Sequence, residues 1–244
     1  MPDRTFFYAP VVVEQGESFI LGNSPYNHIV NVLRMGPGDT LEVVNGRGVI
    51  IRATISHLEK KRVHCRAEAV EQSRNELPVQ ITLAVGLIKQ QRYEWMVEKA
   101  TELGVARIQP LLTDRVVRTG LRPERLEKKA IAAMMQSERA VLPAVEPPQS
   151  LETFLDGPAP ENIFVAAQEL DKASILDLFT HTQLTNAIIL IGPEGGWSQA
   201  ELEQFARKDL HSFQLGRRRL RTETAAVTAL SQLSIVLESS VMNT

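Results

Sequence analysis

The chain has 244 residues, of which 43% are hydrophobic and 23% charged, and a net charge of -2. That balance fits a globular protein with core enough for one large or two small domains, and it gives no global basic excess for nucleic acid, so any such surface has to be local. The single cysteine, Cys65, excludes an internal disulfide and a multi-cysteine metal site. With no leader-like start and no apolar run of membrane-spanning length, the expected location is the cytoplasm.

Residues 1–72 read as a small β-rich domain. Strands are expected at 6–8, 18–21, 40–44, 49–55 and 62–67, separated by Gly22-Asn23-Ser24, Gly36-Pro37-Gly38-Asp39 and the hairpin signal Asn45-Gly46-Arg47-Gly48. Cys65 alternates with charged neighbours, which suits a half-buried structural thiol. Residues 25–35 read as one helix with Ile29, Val32 and Leu33 toward the core. His28 and Arg34 lie beside it and fit either a solvated face or contact with RNA.

Polar, patternless residues 71–77 read as a linker, and residues 73–244 make up the second domain with it. A strand is expected at 79–87. Tyr93, Met96, Val97, Ala100 and Leu103 then recur at helical spacing up to a capping Gly104. Next come a strand at 107–112, a helix from Pro123 to about 140, and a loop carrying Pro143, Pro147 and Pro148. The remainder alternates: strand 162–167, helix 172–179, strand 187–191, helix 198–208, strand 211–215, helix 223–238. Strands alternating with helices predict an α/β domain whose parallel sheet is covered on both faces.

Two strand ends carry glycine. Ile188-Ile189-Leu190-Ile191 runs into Gly192-Pro193-Glu194-Gly195-Gly196-Trp197, and Ser198-x-x-Glu201 reads as a capping box that starts a helix. Phe213-Gln214-Leu215-Gly216 precedes Arg217-Arg218-Arg219-Leu220-Arg221-Thr222-Glu223. Ligands of open α/β sheets sit outside the carboxyl ends of strands, so the two loops suggest one shared site. Plain βα turns are the competing explanation.

Nucleoside triphosphatase, dinucleotide and α/β-hydrolase fingerprints are missing, and the five histidines lack metal-ligand spacing. What remains for chemistry is a set of arginines and carboxylates: Arg115, Arg118, Arg139, Glu194 and the 217–223 run, with Gln136 beside them. A charge run is commonly a solvated face, but this one lies at a helix start, where anions bind.

Taken together, residues 191–201 and 215–225 resemble the loops of knotted SPOUT-class RNA methyltransferases, and in particular the ribosomal RNA small subunit methyltransferase E family. Further matches are Glu98-Lys99-Ala100-Thr101-Glu102-Leu103-Gly104-Val105, Pro110-Leu111-x-x-x-Arg115, Gln136-x-x-Arg139-x-x-x-Pro143 and His28-x-x-x-Val32-Leu33-Arg34-Met35. They span nearly the whole chain. Arg219 stands where the family usually has an aliphatic residue, Met135 where glutamate is common, and Asn27 where histidine is frequent.

The resemblance implies an N-terminal PUA-like RNA-binding β-barrel, a C-terminal domain with a trefoil knot, a homodimer, and S-adenosylmethionine as cofactor. The reaction it implies is methylation of uridine N3 in small-subunit ribosomal RNA, free or within an assembled subunit. Cofactor contacts then fall on Ala166, Ile191, Gly192, Pro193, Glu194, Gly196, Leu215, Gly216, Leu220, Arg221 and Thr222. RNA contacts fall on His28, Arg34, Arg118, Arg217 and Arg218. For catalysis, Arg221 would hold the developing oxyanion, Arg115 or Arg139 would help from the dimer partner, and Glu223 or Glu194 would be the base, or either would only brace a loop. Two rivals stand beside this: a non-catalytic RNA-binding or ribosome assembly protein on the same fold, and a doubly wound nucleotide-binding enzyme.

Overall fold

The computed structural model describes residues 5–73, 75–116, 120–157, 162–167, 170, 173–180 and 184–242. The chain divides into two compact units, Met1–Glu76 with Ile131–Leu142, and Leu77–Ala130 with Pro143–Thr244.

In the first unit, β1 (Phe6–Tyr8), β2 (Ser18–Leu21), β3 (Thr40–Val44), β4 (Val49–Glu59) and β5 (Arg62–Gln72) form a sheet in the order β1-β3-β4-β5-β2. The β1/β3 pair is parallel and the others are antiparallel. Alternating residues supply the core: Leu41 and Val43 on β3, Ile51, Ala53 and Ile55 on β4, and Val63, Cys65 and Ala67 on β5. Cys65 is fully buried, and burial pushes its thiol pKa up to about 12. The β3–β4 hairpin closes where the Asn45 carboxamide oxygen accepts from the backbone N–H of Arg47 and Val49.

Two sequence expectations for this unit need correction, and a third is qualified. Residues 25–35 are not one α-helix: a short α1 (Asn23–Tyr26) continues into a π-helix (Asn27–Val32), closed by Leu33 N–H on the His28 carbonyl. An i→i+5 turn is wider than an α-turn, so positions three and four apart no longer share a face. Ile29 is buried, whereas Val32 and Leu33 are 65% and 41% exposed. Residues 71–77 contain the division between the two units, after Glu76, but Gln72 and Glu76 are engaged. Strand β5 runs to Gln72, and Glu76 accepts from Arg139 Nε at 3.0 Å, Arg139 Nη2 at 2.6 Å and the backbone N–H of Ala140 and Val141. Finally, the helix begun at Pro123 stops at Gln136, because Glu138 turns to φ 56°. The chain leaving it then pairs with the hairpin, Ala140 and Leu142 bonding to Gly48 and Gly46.

The second unit holds β6 (Gln80–Gly86), α2 (Gln90–Glu102), β7 (Arg107–Leu112), the start of α3 (Pro123–Gln136), β8 (Ala144–Val145), β9 (Gln149–Ser150), α4 (Leu151–Leu155), β10 (Ile163–Ala166), α5 (Ile175–Thr180), β11 (Asn186–Ile191), α6 (Gln199–Arg207), β12 (His211–Phe213) and α7 (Thr222–Met242). Its sheet runs β12-β10-β11-β6-β7-β8, with β9 also on β7, and every pairing is parallel. Ile188 and Leu190 share a core with Leu151, Leu155, Leu202 and Phe205 of α4 and α6. Ala187, Ile189 and Ile191 are buried as well, and α7 packs on β6, β11, α2 and α5. Both faces are therefore covered, as the unbroken aliphatic run at β11 predicts.

Strands β8 and β9 fall where the sequence predicts a proline-bearing loop, and helix α4 follows in residues for which it predicts no element. The two strands flank Pro147-Pro148, whose carbonyls remain usable: Gln109 Nε2 donates to Pro147 O at 2.9 Å. Strand β12 ends at Phe213, two residues early, because Gln214 N–H turns to the Ala173 carbonyl. Among the described residues, no helix is long and apolar enough to cross a membrane.

Candidate active site

The strand β11 leaves the sheet at Ile191, and Pro193 O accepts from Gly196 N–H at 2.9 Å to close the first loop, with Gly196 at φ 70°. The capping box is present in full: Ser198 Oγ accepts from Glu201 N–H, and Glu201 Oε2 accepts from Ser198 N–H. Such a cap is worth about 1 kcal/mol and fixes where the loop must end. Trp197 is buried, donates from Nε1 to Ala166 O at 2.9 Å, and meets Phe205 edge to face. The loop after β7 braces the other side. Asp114 N–H donates to Glu201 Oε1, Ser198 Oγ donates to Asp114 Oδ2 at 2.5 Å, and Arg115 Nη1 donates to Gly195 O at 3.1 Å.

The second loop, from Phe213 to Thr222, faces the first. Thr222, buried at the start of α7, donates from Oγ1 to Gly192 O at 3.0 Å, and Arg219 Nη2 donates to Glu194 O at 3.4 Å. Arg219, the departure from the family pattern, thus ties the two loops together. Between them lies a cavity of about 410 Å³, lined by Ile191, Gly192, Trp197, Phe213, Leu215, Leu220 and their neighbours in both loops. Its size falls within the usual range for a small-molecule site, roughly 300–1,000 Å³. Gly216 (φ 113°) and Gly196 open onto unfilled space, so the backbone there stays bare.

Every residue named above as a cofactor contact borders this cavity except Gly216, which sits inside the second loop next to Leu215. Arg218 and Arg221 border it too. Arg217 is exposed just outside the lining, and Arg118 lies outside the described residues. Of the two candidate bases, Glu194 lines the cavity, while Glu223 is buried at the head of α7 and does not. Arg115 is a brace on the first loop. Arg139 belongs to the first unit, where it is 3% exposed and engaged by Glu76. His28 and Arg34 are exposed in the first unit, His28 edge-on to Phe7.

Arg92 on α2 is a cavity residue with no sequence prediction. Its Nη1 donates to Glu194 Oε1 and its Nε lies 3.7 Å from Glu223 Oε1. The available signal was position: it opens the helix after β6, at the carboxyl end of the strand beside β11.

Comparison with known proteins agrees with this geometry. Residues 75–234 match the RNA methyltransferase domain family and residues 17–68 the RNA methyltransferase PUA domain family. The chain is 34% identical to ribosomal RNA small subunit methyltransferase E of Synechocystis over 90% of this chain and 73% of that one. To the enzyme of that name from Bacillus subtilis it is 31% identical, over 93% of each chain. The crystal structure of the Neisseria gonorrhoeae ribosomal RNA small subunit methyltransferase E, bound to S-adenosyl methionine, superposes with a TM-score of 0.84 at 29% identity, covering 96% of this chain and 98% of that one. With matches of this extent at both levels, the chain belongs to the ribosomal RNA small subunit methyltransferase E family.

Proposed function

We propose that the protein transfers the methyl group of S-adenosylmethionine to N3 of a uridine in small-subunit ribosomal RNA. The observation that carries this is the cavity between the two glycine loops, which combines apolar walls, bare backbone, one carboxylate and four arginines. These residues fit the cofactor. Ile191, Leu215, Leu220 and Phe213 offer apolar surface for an adenine, and the bare loops at Gly196 and Gly216 allow close approach of backbone to ligand. The arginines of the lining suit the methionine carboxylate. When bound, the cofactor supplies an electrophilic methyl on a sulfonium.

The work left to the protein is at the base. Uridine N3 carries a proton at neutral pH, and the protonated nitrogen is a poor nucleophile. A carboxylate must take that proton while a cation stabilises the charge spreading to O2 and O4. Glu194 lines the cavity and is the better placed acceptor; Arg221 lines it as well and would hold the oxyanion. Exposed Arg217 and Arg218 would meet the phosphate backbone, with His28 and Arg34 of the first unit as further RNA contacts.

The same reading takes the five-stranded sheet as a PUA-like barrel, the second unit as knotted around the two loops, and the working form as a homodimer. Supporting the knot are the order β12-β10-β11 and the Thr222–Gly192 bond that holds the last helix to the first loop. The test is incubation with labelled S-adenosylmethionine and small subunits, or naked RNA, from a strain lacking the native activity, followed by nucleoside analysis. A single 3-methyluridine is the expected product. Methylation of another base overturns the target, and cofactor binding without transfer to either RNA overturns the enzyme.

A further inference from the structure

Arg92 is the third residue of α2, whose first turn contains no acidic side chain. A cation at that end opposes the helix dipole, so the position is unfavourable unless its charge is used elsewhere. Here it is. Two edges of one planar guanidinium address two carboxylates, Nη1 to Glu194 of the first loop and Nε, at 3.7 Å, to Glu223 beside the second. A fork can do this, and a point charge cannot do it equally well. The carboxylates differ in surroundings. The Glu194 side chain is 40% exposed and borders the cavity, whereas Glu223 is 10% exposed, does not border it, and leaves Oε2 without a hydrogen-bond partner among the described residues. A buried carboxylate that reaches the site only through an arginine is an anchor.

We propose that Arg92 is a positioning residue that fixes Glu194 over the cavity, and that Glu223 acts through Arg92 rather than as the proton acceptor. This rests on the methyltransferase reading and separates the two candidate bases within it. Removing the guanidinium releases Glu194 from its place over the cavity, so the loss falls on the transfer step rather than on cofactor binding.

The experiment measures single-turnover methyl transfer to small subunits, together with cofactor Kd by calorimetry. The variants are Arg92→Gln, Arg92→Lys, Glu223→Gln and the Arg92→Gln/Glu223→Gln pair, with Arg107→Gln, whose partner is Glu146, as the control left unchanged. For Arg92→Gln the expected loss is on the order of 100-fold in kcat from misplacement, with cofactor Kd within about threefold of the parent. Arg92→Lys should fall between, and it carries the same test if the glutamine variant does not fold. The double variant should be no slower than Arg92→Gln alone, since Glu223 then has nothing left to hold. A parental kcat in Arg92→Gln, a loss confined to Kd, or multiplicative losses in the double variant overturns the proposal. If the parent itself transfers no methyl, the functional reading has failed; if the parent is active and Arg92→Gln is too, only this inference has.

Discussion

Gly86 offers the sharpest test of the idea that the first loop is held at a fixed depth. It ends β6, pairs with Leu111 on β7, and lies under Pro193. A Cβ there would come within 2.6 Å of Pro193 N, 2.7 Å of Pro193 Cδ and 3.0 Å of Pro193 Cα. Ordinary contact needs about 3.5 Å, so the loop must retreat by roughly 0.9 Å, and a proline ring cannot swing aside as a long side chain could. Overpacking of this kind costs about 1–3 kcal/mol, and a displacement near 1 Å at a reacting centre costs on the order of 100-fold in rate. Gly86→Ala should therefore lose cofactor affinity and methyl transfer together, read by calorimetry and single-turnover labelling, with melting lowered by about 2–4 °C per kcal/mol. Gly104→Ala is the comparison. Gly104 has φ 89°, and its Cβ would lie 2.7 Å from Cγ and Cδ1 of Leu77, so it strains the end of α2 without touching the loop. It should melt earlier and bind cofactor normally. Parental cofactor affinity in Gly86→Ala, alongside the expected loss of stability in Gly104→Ala, would refute the claim that Pro193 seats against Gly86.

Two further outcomes concern the first unit. Arg139→Ala removes both guanidinium donors from Glu76 but leaves the backbone N–H groups of Ala140 and Val141. Breaking a fully buried pair costs about 3–5 kcal/mol; with Glu76 partly exposed, a loss of about 2 kcal/mol in urea unfolding is expected, and one under about 0.5 kcal/mol would remove Arg139 from the structural role given to it. Cys65, fully buried with its pKa raised to about 12 by desolvation, has almost no thiolate near neutral pH. Iodoacetamide at pH 7.5 should label it only after unfolding, and native labelling at the rate of a free thiol would contradict its burial.

Much of the fold was legible because the second unit obeys local rules. The β11 run is aliphatic at every position since both faces of its sheet are covered, and Gly104 and Ser198-x-x-Glu201 mark helix ends by their own chemistry. Legibility failed where the partner of a residue is distant in sequence. Strands β8 and β9 are two residues each and exist only as neighbours of β7. The π-helix turns Val32 and Leu33 outward although their spacing suits an α-helical core.

The arginines make the same point about the site. Arg139, Arg115 and Arg92 look alike in the chain, yet one is sealed against Glu76, one braces Gly195, and one spans two carboxylates 102 and 131 residues away. An arginine's role is decided by which carboxylate or carbonyl meets its fork, and a parallel sheet brings such partners together from strand ends far apart in sequence. A motif can therefore name the loops that bind, while the residue that sets their geometry lies on the helix after the neighbouring strand. Here that helix is α2, and the residue is the one whose charge its own helix end disfavours.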